Sequence, residues 1–176
     1  MMKPRHMAAG MTAAALISVG VLGGIGTAAA DDYTNLLIDP NIVVDTLAYT
    51  AGATTPNPAG LPGATVIYSH RDGRTIIDSV WVLADPAAAT AAMTQVAGAF
   101  TIANPKTEQV SVGTGGQLIS GTSPDGTQSR SLLSFTHGNA ASTIEFTGPA
   151  NDPAPMDLVV DLGNAQNQLL TDRLGY

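Results

Sequence analysis

The chain has 176 residues, 44% of them hydrophobic and only 12% charged, with seven Lys or Arg against fourteen Asp or Glu, a net charge of −7 and no cysteine. Nucleic-acid binding is disfavoured, because neutralising phosphates needs clustered Lys and Arg, and so is attraction to anionic membrane surfaces. Without cysteine there are no disulfides and no thiol chemistry, so stability must come from the core alone.

Residues 1–30 carry Lys3 and Arg5, then an uncharged run rich in Ala, Val, Leu, Ile and Gly, then Ala28-Ala29-Ala30 before Asp31-Asp32. This is the pattern of a secretory signal peptide with a small-residue cleavage site; the competing reading is a membrane-anchoring helix. No twin arginine is present, which points to the general secretory route, and no cysteine follows that could take a lipid. With Lys3 and Arg5 set aside, five basic residues face fourteen acidic ones, a net charge of −9 for the remainder. The expected product is secreted or envelope-associated, with no integral membrane segment after cleavage. It divides into an N-terminal segment with a Pro/Gly-rich loop, 31–63, and a single domain core, 64–176.

In 31–49, Asp39-Pro40 is a cap-then-proline signal followed by Ile42, Val43, Val44 and Leu47. A short helix is one reading, and a strand the other, since β-branched residues lower helix propensity. Residues 50–63 hold three prolines and three glycines and read as a surface connector or as a lid over a groove.

The stretch 64–102 organises the fold. Val66, Ile67 and Tyr68 precede Arg71-Asp72-Gly73-Arg74, and Thr75, Ile76, Ile77, Val80, Trp81, Val82 and Leu83 follow it, which predicts a hairpin turning at Asp-Gly. Asp85-Pro86 then caps a helix whose Ala89, Met93, Val96 and Phe100 share a face and which ends at Asn104-Pro105. Its small residues, Ala87, Ala88, Ala91, Ala92, Gly98 and Ala99, predict close approach to a sheet. A strand is expected over 107–112, a glycine turn at 113–116, and strands over 117–121, 128–136 and 140–147, joined by turns too short for crossovers and so antiparallel. Leu133 and Phe135 should face one side, Leu132 the other, and Ile144 with Phe146 one way. Asp152-Pro153 is expected to cap a last helix with the stripe Leu158, Leu162, Ala165 and Leu169, Gly163 marking close packing and Arg173 near its negative end.

The fold class is therefore α+β, an antiparallel meander sheet with two packed helices. In the order of its elements, DYTNLLIDPNIVV, a strand pair, a helix, the meander TEQVSVG, GGQLISGTSPDGTQSRSLLSFT and STIEFT, and a terminal helix, the chain resembles the PsbP-like α-β-α sandwich of LpqN-type exported lipoproteins and proline-rich antigens of actinobacteria. The resemblance implies a non-enzymatic envelope or secreted protein that binds a protein partner or lipid-like ligand. It transfers no functional residue.

No G-x-S-x-G elbow, HExxH or HxH spacing occurs, so no catalytic residue, metal site or cofactor is assigned. His70 and His137 flank hairpin turns; His70 with Asp72 or Asp78 is the pair an alternative, hydrolase-like reading would use. Arg71, Arg74 and Arg130 all lie near turns and could receive an anionic group if they converged. Trp81 reads as a core anchor or, alternatively, part of a pocket. A purely structural or antigenic surface protein is the third reading.

Overall fold

A computed structural model describes residues 32–44 and 47–175; the expected signal peptide and cleavage site fall outside the described residues. The sheet has eight antiparallel strands. They are β1 (Tyr49–Ala51), β2 (Thr55–Pro56), β3 (Gly63–His70), β4 (Thr75–Val82), β5 (Ala103–Gln109), β6 (Thr114–Thr122), β7 (Gln128–His137) and β8 (Ala140–Pro149). The spatial order is β1-β3-β4-β8-β7-β6-β5, with β2 also on β3. The meander β5 to β8 thus closes onto the first hairpin, Thr75 to Val82 pairing with Thr147 to Ala140.

Two helices, α1 (Pro86–Ala99) and α2 (Met156–Leu174), cover opposite faces. Strand alternation shows this directly: Leu132 packs with Trp81, Ala89, Met93 and Val96 of α1, while Leu133 and Phe135 pack with Val159, Leu162 and Leu170 of α2, joined by Ile144 and Phe146. The architecture is α+β, helix on sheet on helix.

The hairpin turns as its residues require. Gly73 takes φ +92°, its N–H donating to the His70 carbonyl at 3.0 Å, whereas Asp72 acts through its side chain, Oδ1 accepting from Arg74 N at 3.1 Å. Asp85 caps α1, Oδ1 accepting from Ala88 N at 2.8 Å, with Pro86 first in the helix. Ala89 and Ala92 are sealed against the sheet. Ala87, Ala91, Gly98 and Ala99 are instead exposed, so the expected small-residue contact is confined to one face.

Four local expectations are corrected. The helix α1 stops before Asn104-Pro105, which lies inside β5; Asn104 takes φ +53° at a register shift between Ala103 and Lys106, and an edge strand tolerates the proline's missing N–H. The strand expected at 107–112 accordingly sits earlier, and Val112, 1% exposed, turns inward beneath α2. Pro40–Ile42 forms a single 3-10 turn capped by Asp39, because Val43 and Val44 do not propagate a helix. Finally, α2 begins at Met156 without a side-chain cap, and its buried face is Val159, Leu162, Gly163, Gln166 and Leu170, one residue round from the predicted stripe. Gly163 fixes that rotation: a Cβ there would stand 2.5 Å from Leu133 Cδ2 and 2.9 Å from Val112 Cγ1.

Candidate functional site

At the end of the sheet marked by the β3–β4 turn, on the α2 face, a cleft of about 280 Å³ opens between the turn, the start of β1, the end of β8 and the lead-in to α2. Buried Ile76 and Phe146 line its base, and half-buried Val44 and Leu158 line it as well. Tyr49, His70, Arg74 and Asp152 supply its polar edge. The rings of Tyr49 and His70 lie 5.2 Å apart, tilted by 53°. His70 Nδ1 stands 2.5 Å from Asp72 Oδ1, and the Arg74 guanidinium is shared between Asp72 and Asp152. The Arg74 backbone N–H holds the Asp72 carboxyl below its ordinary range; desolvation opposes it, and the His70 hydrogen bond and the Arg74 and His70 charges add lesser help. Burial raises the Tyr49 phenol, Asp72 adding to the rise and Arg74 opposing it.

The large hydrophobic residues left exposed among the described residues are Ile42, Leu47 and Met156, at 65, 90 and 42%. Leu47 adjoins the lining residues Ala48 and Tyr49, Met156 adjoins Pro155, and Ile42 lies two residues before Val44. Ile42 and Leu47 therefore flank one wall of the cleft in sequence, and Met156 the other.

The three arginines do not converge. Arg71 is exposed in the turn, and Arg74 is taken by two carboxylates. Arg130 points to the opposite face, pairing with Glu145, donating to the Thr101 carbonyl at 2.9 Å and lying 4.7 Å over the Phe100 ring. It ties the C-terminal end of α1 to the sheet. His137, whose Nδ1 is 3.1 Å from Asn167 Oδ1, pairs with Ala140, which faces Val82. His70 is beside Thr75 at the other end of β4, roughly 23 Å away along the strand. The two histidines cannot act together. Trp81 is 6% exposed in the α1-side core, its indole N–H directed to the Pro58 carbonyl at 3.4 Å. Segment 50–63 therefore reaches Trp81 and contributes no lining residue to this cleft, so it is not a lid over it. Asp152, expected to cap α2, serves Arg74 instead.

Sequence reasoning missed Gln166 and Asn41, and it singled out Asp78 only as a partner for His70, not for the buried role it has. Asp78, fully buried on β4, accepts from Ile38 N through Oδ2 at 2.7 Å. Burial pushes its carboxyl up to about 8, the Ile38 and Ser79 backbone N–H groups pulling the other way. Gln166, also fully buried, donates through Nε2 to the Leu36 carbonyl at 2.7 Å. Asp78 Oδ1, Gln166 Oε1 and Ser142 Oγ have no hydrogen-bond partner within the protein. The signal was available: in Thr75–Val82, Asp78 has the parity of Ile76 and Val80, so it had to face the α2 core. Asn41 clamps the backbone of Tyr49, Nδ2 donating to its carbonyl and Oδ1 accepting its N–H, both at 2.9 Å.

Among the described residues no three His, Asp or Glu side chains gather as a metal site would need, and no helix is long and apolar enough to cross a membrane. The sequence matches no family model and no curated protein. The structure is similar to the extracellular domain of PknH from Mycobacterium tuberculosis, with a TM-score of 0.53 at 10% identity over 85% of this chain and all of that domain. At that identity the likeness is one of fold: the chain shares the layered α+β architecture of an extracellular domain.

Proposed function

We propose that this chain is a non-catalytic protein of the cell envelope or its exterior, of the exported kind its element order resembles, and that the cleft beside the β3–β4 turn seats an apolar side chain of a protein partner. The observation that carries the reading is the coincidence of an apolar-based cleft with exposed Ile42, Leu47 and Met156, each within two residues in the chain of a lining residue; isolated exposed apolar residues mean little, but several next to the segments of a concavity support a contact surface. The cleft, about 280 Å³, falls just below the roughly 300 Å³ at which small-molecule pockets begin. That suits one anchoring side chain ringed by lip contacts better than a whole lipid. The cation on its edge, Arg74, is already neutralised twice over, so an anionic head group gains little there.

The His70–Asp72 contact is what a hydrolase reading would rest on. It lacks a companion: the chain has no cysteine, and the hydroxyls lining the cleft belong to Thr75, Thr147 and Tyr49, with no serine among them. Asp72 also serves Arg74.

A benzophenone side chain placed at Met156, and as control at exposed Thr90 on the α1 face, tests the proposal on intact cells. A discrete protein adduct formed from position 156 alone, and lost when Leu158→Glu fills the cleft with charge, is expected. Equal adducts from both positions overturn it, as does native mass spectrometry showing a bound small molecule that Leu158→Glu expels, which would make the occupant lipid-like.

A further inference from the structure

Residues 33–44 form a strap laid across the α2-side core. Its turns are short, a 3-10 turn at Tyr33–Leu36 and another at Pro40–Ile42, yet Leu36, Ile38 and Pro40 are 5% exposed or less. Such a segment has little helix or ladder hydrogen bonding of its own. Two buried side chains hold its backbone instead: Asp78 from β4 binds Ile38 N, and Gln166 from α2 binds the Leu36 carbonyl. Each is a polar group deep in an apolar core with a second polar atom, Asp78 Oδ1 or Gln166 Oε1, that lacks a partner, an arrangement that weakens the latch relative to an apolar seat.

The far end of the strap builds the site. Val44 is one wall of the cleft, and Asn41 grips the backbone of Tyr49 at both its N–H and its carbonyl, fixing the start of β1 and the phenol that lies against His70. The three strands of contact therefore run in series: the core latches the strap at 36 and 38, the strap clamps Tyr49 at 41, and Tyr49 and Val44 shape the cleft.

We propose that Asp78 and Asn41 are positioning residues of the cleft, Asp78 by latching a releasable strap and Asn41 by transmitting its docking to Tyr49. The inference rests on the cleft being the functional site, but the latch itself is measurable without any partner. Release would expose the Asp78 carboxyl to water, so the docked strap holds a proton that the released one gives up at neutral pH. The groups facing Asp78 leave it as the titrating member: β3 offers Tyr68, whose phenol burial raises beyond reach of neutral pH; β8 offers Ile144 opposite and Ser142; α2 offers uncharged Gln166. The nearest strap acid is Asp39, exposed and occupied with Asn41.

Amide hydrogen exchange on the purified protein reads the latch. Corrected for intrinsic rates, protection at Ile38 should fall between pH 5 and pH 8, by up to tenfold per unit, while Phe135 and Ile144 in the central strands, which open only with the whole sheet, stay better protected than Ile38 at every pH even as global stability declines over the same range. Asp78→Asn, which retains an oxygen for Ile38 N, should preserve protection and abolish the pH dependence, a result that a merely space-filling role would not produce. Asn41→Ala should lower protection at Tyr49 at least tenfold and reduce cross-linking from position 156, leaving Ile38 protected. The proposal is overturned if Ile38 exchanges only with the global unfolding of the sheet, or if its pH dependence survives Asp78→Asn. If the exchange pattern holds while no adduct forms at position 156, the latch stands and the partner reading fails.

Discussion

Replacing Asp78 by Asn should make the protein more stable at neutral pH, an unusual outcome for a fully buried polar residue. The folded carboxyl sits at about 8 against an ordinary 3.8, chiefly because burial disfavours its charge. The folded state therefore binds one proton more than the unfolded chain throughout the interval between those values, and stability must decline as pH rises through it. At about 1.4 kcal/mol per unit the loss is on the order of 5 kcal/mol across the window, and about 4 kcal/mol has gone by pH 7. Asparagine removes that titration and keeps an acceptor for Ile38 N, but introduces an amide N–H₂ whose failure to find an acceptor would cost about 1–3 kcal/mol. A net gain of about 2 kcal/mol at pH 7 is expected, shrinking to zero near pH 5 and reversing below it. Asp32, Asp72 and Asp125 act in the opposite sense, since hydrogen bonding lowers all three; what stability they add is lost only as pH drops below the ordinary carboxylate range. Urea titrations at half-unit steps from pH 4.5 to pH 9 measure both chains. A wild-type midpoint that rises with pH, or a variant with the same downward slope as wild type, would refute the assignment of the slope to Asp78.

Trp81→Ala should cost about 3–5 kcal/mol, as emptying a sealed aromatic site does, lowering the thermal midpoint by on the order of 10 °C; because Trp81 lies on the α1 face, cross-linking from position 156 should persist in the folded variant, and its loss would tie Trp81 to the site. Gly163→Ala gains up to about 1 kcal/mol in helix propensity but drives a methyl into Leu133 and Val112, both 1% exposed or less. Overpacking of about 1–3 kcal/mol should win, so chemical denaturation should show a net loss, and a stabilised variant would mean that α2 can lift from the sheet.

The hairpin, α1 and the meander were legible because each carries its own local chemistry: Asp-Gly at the turn, Asp85-Pro86 at the helix start, and apolar residues at periods of two or near four. The same local logic misplaced β5 and the start of α2. Asn104-Pro105 and Asp152-Pro153 are ordinary boundary signals, but tertiary partners overrode them, β6 recruiting the first into a bulged edge and Arg74 claiming the second. The cleft was out of reach for another reason. Its parts come from Val44, Ala48 and Tyr49, from 70–76, from 146–148 and from 152–158, and only the closure of β8 onto β4 brings them together, a pairing that no local pattern announces. His70, Arg74 and Asp72 stood out as polar residues near a turn, yet what makes them a site is Phe146 and Leu158, which in sequence are merely core.

The two faces of the sheet differ in a way that locates function. Beneath α1 the core is Trp81, Leu132, Met93, Val96 and small alanines, and the ion pair of Arg130 with Glu145 pins the helix end in place. Nothing there is poised to change. Beneath α2 the same strands carry Asp78, Ser142 and Gln166, each with a buried atom lacking a partner, and the segment seated on them has little hydrogen bonding of its own. Buried polar groups that are half satisfied lower stability without improving packing, so their presence on one face only is a cost placed where the strap docks. A fold selected for rigidity alone would have filled position 78 with valine, matching Ile76 and Val80. An aspartate there retains the strap through a single backbone N–H, and the same strap ends at the wall of the cleft and at Tyr49. The site and the weakest part of the core are thus one mechanical unit, which is why the α2 face, and not the sealed α1 face, is where binding should be felt by the rest of the molecule.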